Sequence, residues 1–165
     1  MTFTLRPWTI NDLDSLVKYA NNNKIADNMT DQFPHPYSME DGKKWISIAG
    51  VGEPKNFMAI EINGEAVGGI GIHPEADVYR KNAEMGYWLA EPFWGKGVIP
   101  GAIKQMVDYA FKNFDIDRIY ARPFVTNKAS QRVLEKSGFI LEAKFEKVVI
   151  KHGVSLDQLV YAIRR

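Results

Sequence analysis

The chain has no cysteine among its 165 residues. That excludes disulfides, thiolate metal sites and any acyl transfer through a cysteinyl intermediate. It also has almost no net charge: 21 basic residues against 20 acidic ones leave +1. No overall field therefore draws it to nucleic acid or to an anionic membrane, and neither is expected as a partner. No apolar run approaches the length that crosses a bilayer. The first residues carry neither the basic segment nor the apolar stretch of a signal peptide, so a soluble cytoplasmic protein is the expectation. The three histidines, His35, His73 and His152, are too scattered to suggest a metal site, and none is expected. Repeats, low-complexity tracts and linker-like shifts in composition are all missing.

What is present is ordinary globular composition, with 45% hydrophobic, 25% charged and 12% aromatic residues. The length suits one domain over residues 1–165 with one core. Residues 2–8 read as a first strand. Thr9 with Asp12, and Ser38 with Asp41, have the spacing of capping boxes that open helices. Leu13, Leu16, Val17 and Ala20 mark one helical face, and Trp45, Ile48 and Ala49 another. Between them, residues 21–36 read as a loop or a short irregular helix. Asn63-Gly64 is a strong hairpin signal joining strands at 56–62 and 65–72.

A strand over 82–90 follows, with Ala83, Met85, Tyr87 and Leu89 on one face and Glu84, Gly86 and Trp88 on the other. A helix then carries Ile103, Met106, Val107, Ala110, Phe111 and Phe114 as its apolar stripe. A strand over 118–125, a helix capped by Asn127 and ended by Gly138, and two long strands joined at His152-Gly153 complete the chain. A βαβ unit between hairpins implies a mixed sheet with helices packed on it, an α+β arrangement.

Two segments carry chemistry. In the first, a strand runs into Trp94-Gly95-Lys96-Gly97 and a helix opens at once. Two glycines let an anion approach the backbone, and the first amides of the helix lack internal partners at the positive end of its dipole. Such a turn binds phosphate groups, and Lys96 adds a cation. A Walker A loop is excluded because no G-x-x-x-x-G-K-[ST] run exists. A dinucleotide fingerprint is broken by Pro100 where its third glycine belongs. On its own the turn is equally compatible with glycines used for packing. The second segment runs from Asn127 to Phe139, and a capped helix with Val133 and Leu134 in the core accounts for many of its residues.

Taken together, the two segments resemble the GNAT superfamily of acetyl-CoA-dependent N-acetyltransferases, in its ribosomal-protein-alanine N-acetyltransferase-like branch. The motifs that carry the resemblance are Leu5-Arg6-Pro7, Glu84-Met85-Gly86-Tyr87-Trp88-Leu89, Trp94-Gly95-Lys96-Gly97, and Asn127 and Ser130 followed by Val133-Leu134-Glu135-Lys136-Ser137-Gly138-Phe139. The resemblance spans nearly the whole chain. It implies a three-layer α-β-α fold around a twisted mixed sheet of about seven strands, with four helices. It also implies acetyl-CoA as co-substrate, with its diphosphate on the amides of Gly95, Lys96, Gly97 and Val98 beside Trp94. The pantetheine would pair like an added strand with the backbone of Trp88, Leu89 and Ala90, Asn127 would bond that arm, and Ser130 would lie near the thioester sulfur.

The chain departs from the family pattern at Gly101-Ala102, where Glu-Ala is usual, and at Leu134, where many members place a tyrosine acid.

Direct transfer to an amine requires that the amine lose its proton, which a base assists. Glu84 is the first candidate base and His73 the second, against the alternatives of a surface or ion-paired carboxylate and an exposed strand-end imidazole. Ser130 is the candidate acid or sulfur ligand, against the alternative of a small residue in a first helical turn. Residues 21–37 form the expected specificity loop, and Phe33, Tyr37, Trp45 and Trp88 are candidates for lining an acceptor site, with core packing the alternative. The expected partner is an amine, either a small molecule or a protein N-terminus, acting on a monomer or homodimer. A non-catalytic acyl-CoA-binding module on the same fold is the rival reading.

Overall fold

A computed structural model describes all 165 residues. The strands are β1 (Thr4–Pro7), β2 (Phe57–Ile62), β3 (Glu65–Pro74), β4 (Asn82–Leu89), β5 (Arg118–Ala121), β6 (Ile140–Lys151) and β7 (Val154–Arg164). The helices are α1 (Leu13–Ala20), α2 (Asn23–Ala26), α3 (Met39–Ala49), α4 (Val98–Asn113) and α5 (Lys128–Lys136). All seven strands form one sheet in the order β1-β2-β3-β4-β5-β7-β6. The sheet is mixed: β4 and β5 are parallel across the α4 crossover, and the β1–β2, β2–β3, β5–β7 and β6–β7 pairs are antiparallel. The expected α+β fold with about seven strands is present, with five helices rather than four. The extra one is the four-residue α2, inside the stretch read as loop or short helix. Asn22 makes it possible by accepting from the Lys24 amide at 2.9 Å. No helix is long and apolar enough to cross a membrane.

Local chemistry accounts for the element boundaries. Ser38 and Asp41 close the box at the start of α3: the Asp41 amide donates to Ser38 Oγ at 3.1 Å and the Ser38 amide to Asp41 Oδ2 at 2.8 Å. Thr9 and Asp12 first open a short 3-10 turn over Ile10–Asp12, and α1 follows directly. Asn63 and Gly64 both have positive φ, as the two-residue hairpin turn between β2 and β3 demands. Gly138, at φ +86, ends α5. The strand expected to reach residue 125 stops at Ala121, and pairing resumes only as an isolated bridge from Phe124 to Gln158.

The chain forms two compact units: residues 1–71 with 86–106, and residues 72–85 with 107–165. In the first, Trp8, Leu16, Ala20, Ile25, Tyr37 and Trp88 belong to one apolar cluster. In the second, Ile116, Ile119 and Leu134 are fully buried. Near the end of β4, Trp88 and Leu89 are both buried although they point to opposite faces, so both faces of the sheet are covered there. The simple alternation expected for that strand does not extend to its burial.

Candidate active site

The glycine turn is built as the sequence suggests. Gly95 and Gly97 have φ of +71 and +75, and a Cβ placed on either would meet nothing within 4 Å. The turn therefore uses glycine for its backbone conformation and leaves open space beside the amides. It feeds α4, 16 residues long, whose first amides have no partner within the helix. Pro100 sits in that first turn, where an amide hydrogen would have had no helical acceptor, so it does not interrupt the helix. A Cβ at Gly101 would come 2.9 Å from Phe3 Cε1, so the Phe3 ring packs closely on this turn of α4. Val98 is buried and anchors the helix start. Trp94 is partly exposed, but its indole Nε1 donates to the Leu89 carbonyl at 2.7 Å and ties the turn back to β4. Lys96 Nζ lies 5.7 Å from the centre of the Phe93 ring. The turn thus brings together a helix N-terminus, glycines with an open flank and the cationic Lys96, features that suit an anion.

The strand leading to this turn has a second notable feature. Its parallel register with β5 runs from Asn82↔Arg118 to Glu84↔Tyr120, while β4 itself continues to Leu89. On the other side, the Ala90 amide donates to the Val67 carbonyl at 2.8 Å, so the antiparallel register with β3 persists beyond the strand's end.

In the second unit, polar side chains gather on one face of β3, β4 and β5. Glu84 receives two hydrogen bonds from Arg122, from Nε at 2.9 Å and Nη2 at 2.7 Å. The pair raises the already high pKa of the guanidinium, although burial opposes the shift. Tyr120 donates its hydroxyl to Glu75, and the Arg118 guanidinium lies 4.6 Å from the centre of the Tyr120 ring. Burial, this hydrogen bond and the charges of Glu84 and Glu75 together hold the phenol well above its ordinary pKa. His73 is pushed below its ordinary 6.5 by desolvation, with Glu84 pulling in the opposite direction. Asn127 caps α5 by accepting the Ser130 amide at 3.2 Å, so that side chain serves the helix as well as any ligand.

Arg122, Tyr120 and Glu75 were not singled out from sequence. The available signal was the period-two spacing of Tyr120 and Arg122, but their partners could be known only from the strand register.

The proposed aromatic lining residues lie together in the first unit. The Phe33 ring is tilted against Tyr37 at 5.3 Å and meets Trp88 edge to face at 5.9 Å, while Trp45 meets Trp8 edge to face at 6.4 Å and is tilted against Phe57 at 5.0 Å. Tyr37 and Trp88 are buried, and burial pushes the Tyr37 phenol up to about 12. These rings pack in the core cluster, which is the reading weighed against an acceptor-lining role. No group of three His, Asp or Glu side chains is placed to hold a metal ion.

The acetyltransferase (GNAT) domain family matches residues 2–140. This chain belongs to that family. YdaF of Bacillus subtilis (strain 168) is 35% identical over 101 residues, 61% of this chain but only 55% of YdaF, so the match spans little more than half of that relative. The ribosomal-protein-serine acetyltransferase of Escherichia coli (strain K12) is 29% identical over 111 residues, 67% of this chain and 61% of that protein. Among solved structures, the Microcin C7 self immunity acetyltransferase MccE, in complex with acetyl-CoA and AMP, is 26% identical. It superposes with a TM-score of 0.84 over 99% of this chain and 92% of its own.

Proposed function

We propose that this protein transfers the acetyl group of acetyl-CoA directly to a primary amine, on a protein N-terminus, a peptide or a small molecule. The observation that carries this reading is the turn at Gly95-Lys96-Gly97. Its positive-φ glycines, open flank and following helix suit a diphosphate, in a chain of the GNAT family. The amides of Gly95, Lys96, Gly97 and Val98 take the diphosphate, with Lys96 as counter-charge and Trp94 bracing the loop. The backbone of Trp88, Leu89 and Ala90 takes the pantetheine arm as an added strand. Roles for Asn127 on that arm and Ser130 near the sulfur follow from the motif they share with the family.

The bound co-substrate supplies an activated acyl carbon and a thiolate leaving group. The protein's own task is to orient the amine, help remove its proton and donate hydrogen bonds to the developing oxyanion. No protein nucleophile is required, and the chain has no cysteine to supply one. Glu84 and His73 are the groups proposed to assist deprotonation. The acceptor class rests on the names of relatives, one of which acetylates a ribosomal protein.

Thiol release with acetyl-CoA and a panel of amines tests the reading. Amine-dependent release with acetylated product by mass spectrometry is expected. Tight acetyl-CoA binding without transfer to any amine would instead support a binding module.

A further inference from the structure

The strand registers place three residues in a row. The Ala90 amide bonds the Val67 carbonyl at 2.8 Å, and the Glu75 amide bonds the Asn82 carbonyl at 2.9 Å. Both belong to a single antiparallel β3–β4 register, in which His73 stands directly opposite Glu84. Glu84 is in turn the partner of Tyr120 on β5. Directly opposed residues share a face, with Cβ atoms about 5 Å apart. His73, Glu84 and Tyr120 therefore line up across three neighbouring strands. Glu75 and Arg122 lie one step along on the same face, and each already has a partner: Glu75 accepts from the Tyr120 hydroxyl, and Arg122 grips Glu84 through two hydrogen bonds.

This arrangement gives the two candidate bases different roles. The Glu84 carboxylate is oriented by a bidentate guanidinium, so each oxygen already accepts a charge-assisted bond. His73, near the end of β3, keeps exposed surface that an incoming amine can reach, while the packed part of the ring is desolvated. We propose that His73 is the group that takes the proton from the acceptor ammonium, and that Glu84, held by Arg122, is a positioning residue that stabilises the imidazolium so formed. This rests on the acetyl-transfer reading and specifies its base.

The acceptor ammonium gives one proton to a ring nitrogen of neutral His73. The nitrogen lone pair then forms the bond to the thioester carbonyl carbon, the carbon–sulfur bond breaks, and the second amine proton ends on the departing sulfur as CoA thiol. His73 returns its proton to water.

The state of His73 supports the assignment. Desolvation lowers its pKa from the ordinary 6.5, which disfavours the protonated ring. Glu84 is the facing charge that raises it. Of the neighbouring groups, Arg122 is paired to Glu84, Glu75 to Tyr120, and the phenol is held protonated.

The test is the pH profile of kcat at saturating acetyl-CoA and acceptor for the wild type, His73→Gln and Glu84→Gln, with thermal unfolding as the control for folding. Wild type is expected to lose activity through an inflection below pH 6.5. His73→Gln is expected to remove that inflection and lower kcat about a hundredfold, the low end for losing a general base. Glu84→Gln is expected to keep an inflection but move it to lower pH, because the charge that raised the imidazole is gone. Unchanged kcat and inflection in His73→Gln would overturn the inference. So would loss of the inflection in Glu84→Gln alone, which would make Glu84 the base. If folded wild type releases no thiol with any amine, the acetyl-transfer reading itself has failed.

Discussion

Arg122 meets Glu84 edge to edge, with Nε at 2.9 Å from one carboxylate oxygen and Nη2 at 2.7 Å from the other. The guanidinium side chain is 45% exposed, so solvent screens much of the attraction. The pair fixes where the carboxylate points more than it stabilises the fold. Arg122→Met is accordingly expected to cost no more than about 1 kcal/mol in urea unfolding, while lowering turnover about tenfold through loss of orientation. Urea melts and steady-state kinetics on the same preparation check both halves. A large stability loss with unchanged kcat would show a purely structural pair.

Gly97→Glu is expected to weaken acetyl-CoA binding by at least about a hundredfold, measured by calorimetry on protein whose circular dichroism is native. The new side chain adds a negative charge where a diphosphate should sit, and it imposes φ of +75 on a residue with a Cβ. Gly97→Ala isolates the backbone strain, with about 1 kcal/mol lost from stability.

Asp12 should make stability depend on pH in a defined direction. It is buried and accepts from Arg6 Nη1 at 2.8 Å, Arg6 Nη2 at 2.7 Å and the Thr9 amide at 2.8 Å. Burial alone would raise its pKa, but the hydrogen bonds and the Arg6 charge outweigh it, and the net shift is below 3.8. A carboxyl depressed in the folded state contributes stability above its unfolded pKa and loses that contribution as pH falls through the folded value. Asp12→Ala is expected to cost about 3 kcal/mol at pH 7. The gap to wild type should narrow as pH falls below about 3.8. Denaturant melts between pH 2 and 7 give the comparison, and a constant gap would contradict it.

Leu134→Ala is expected to destabilise by about 3 kcal/mol. Leu134 is 0% exposed in α5. Leu134→Met should cost less than about 1.5 kcal/mol. If Leu134→Ala proves harmless, the side chain does not fill the core.

Short-range signals made most of the fold legible. The Asn63-Gly64 turn, the Ser38–Asp41 box, the Asn127 cap and Gly138 each act within a few residues, so their sequence spacing specifies the geometry. The glycine turn was readable for the same reason. The polar row was not. His73, Glu84 and Tyr120 come from three strands, and only the register aligns them. The Glu84–Arg122 and Tyr120–Glu75 pairs likewise depend on that alignment. The burial of Trp88 was hidden because alternation reports which face a residue takes, not whether that face is covered.

The crystal structure of this protein with coenzyme A bound tests the central claim most directly. The account predicts the diphosphate oxygens within hydrogen-bonding distance, about 3 Å, of the amides from Gly95 to Val98. Coenzyme A bound with its diphosphate elsewhere, and those amides facing only water, would contradict it.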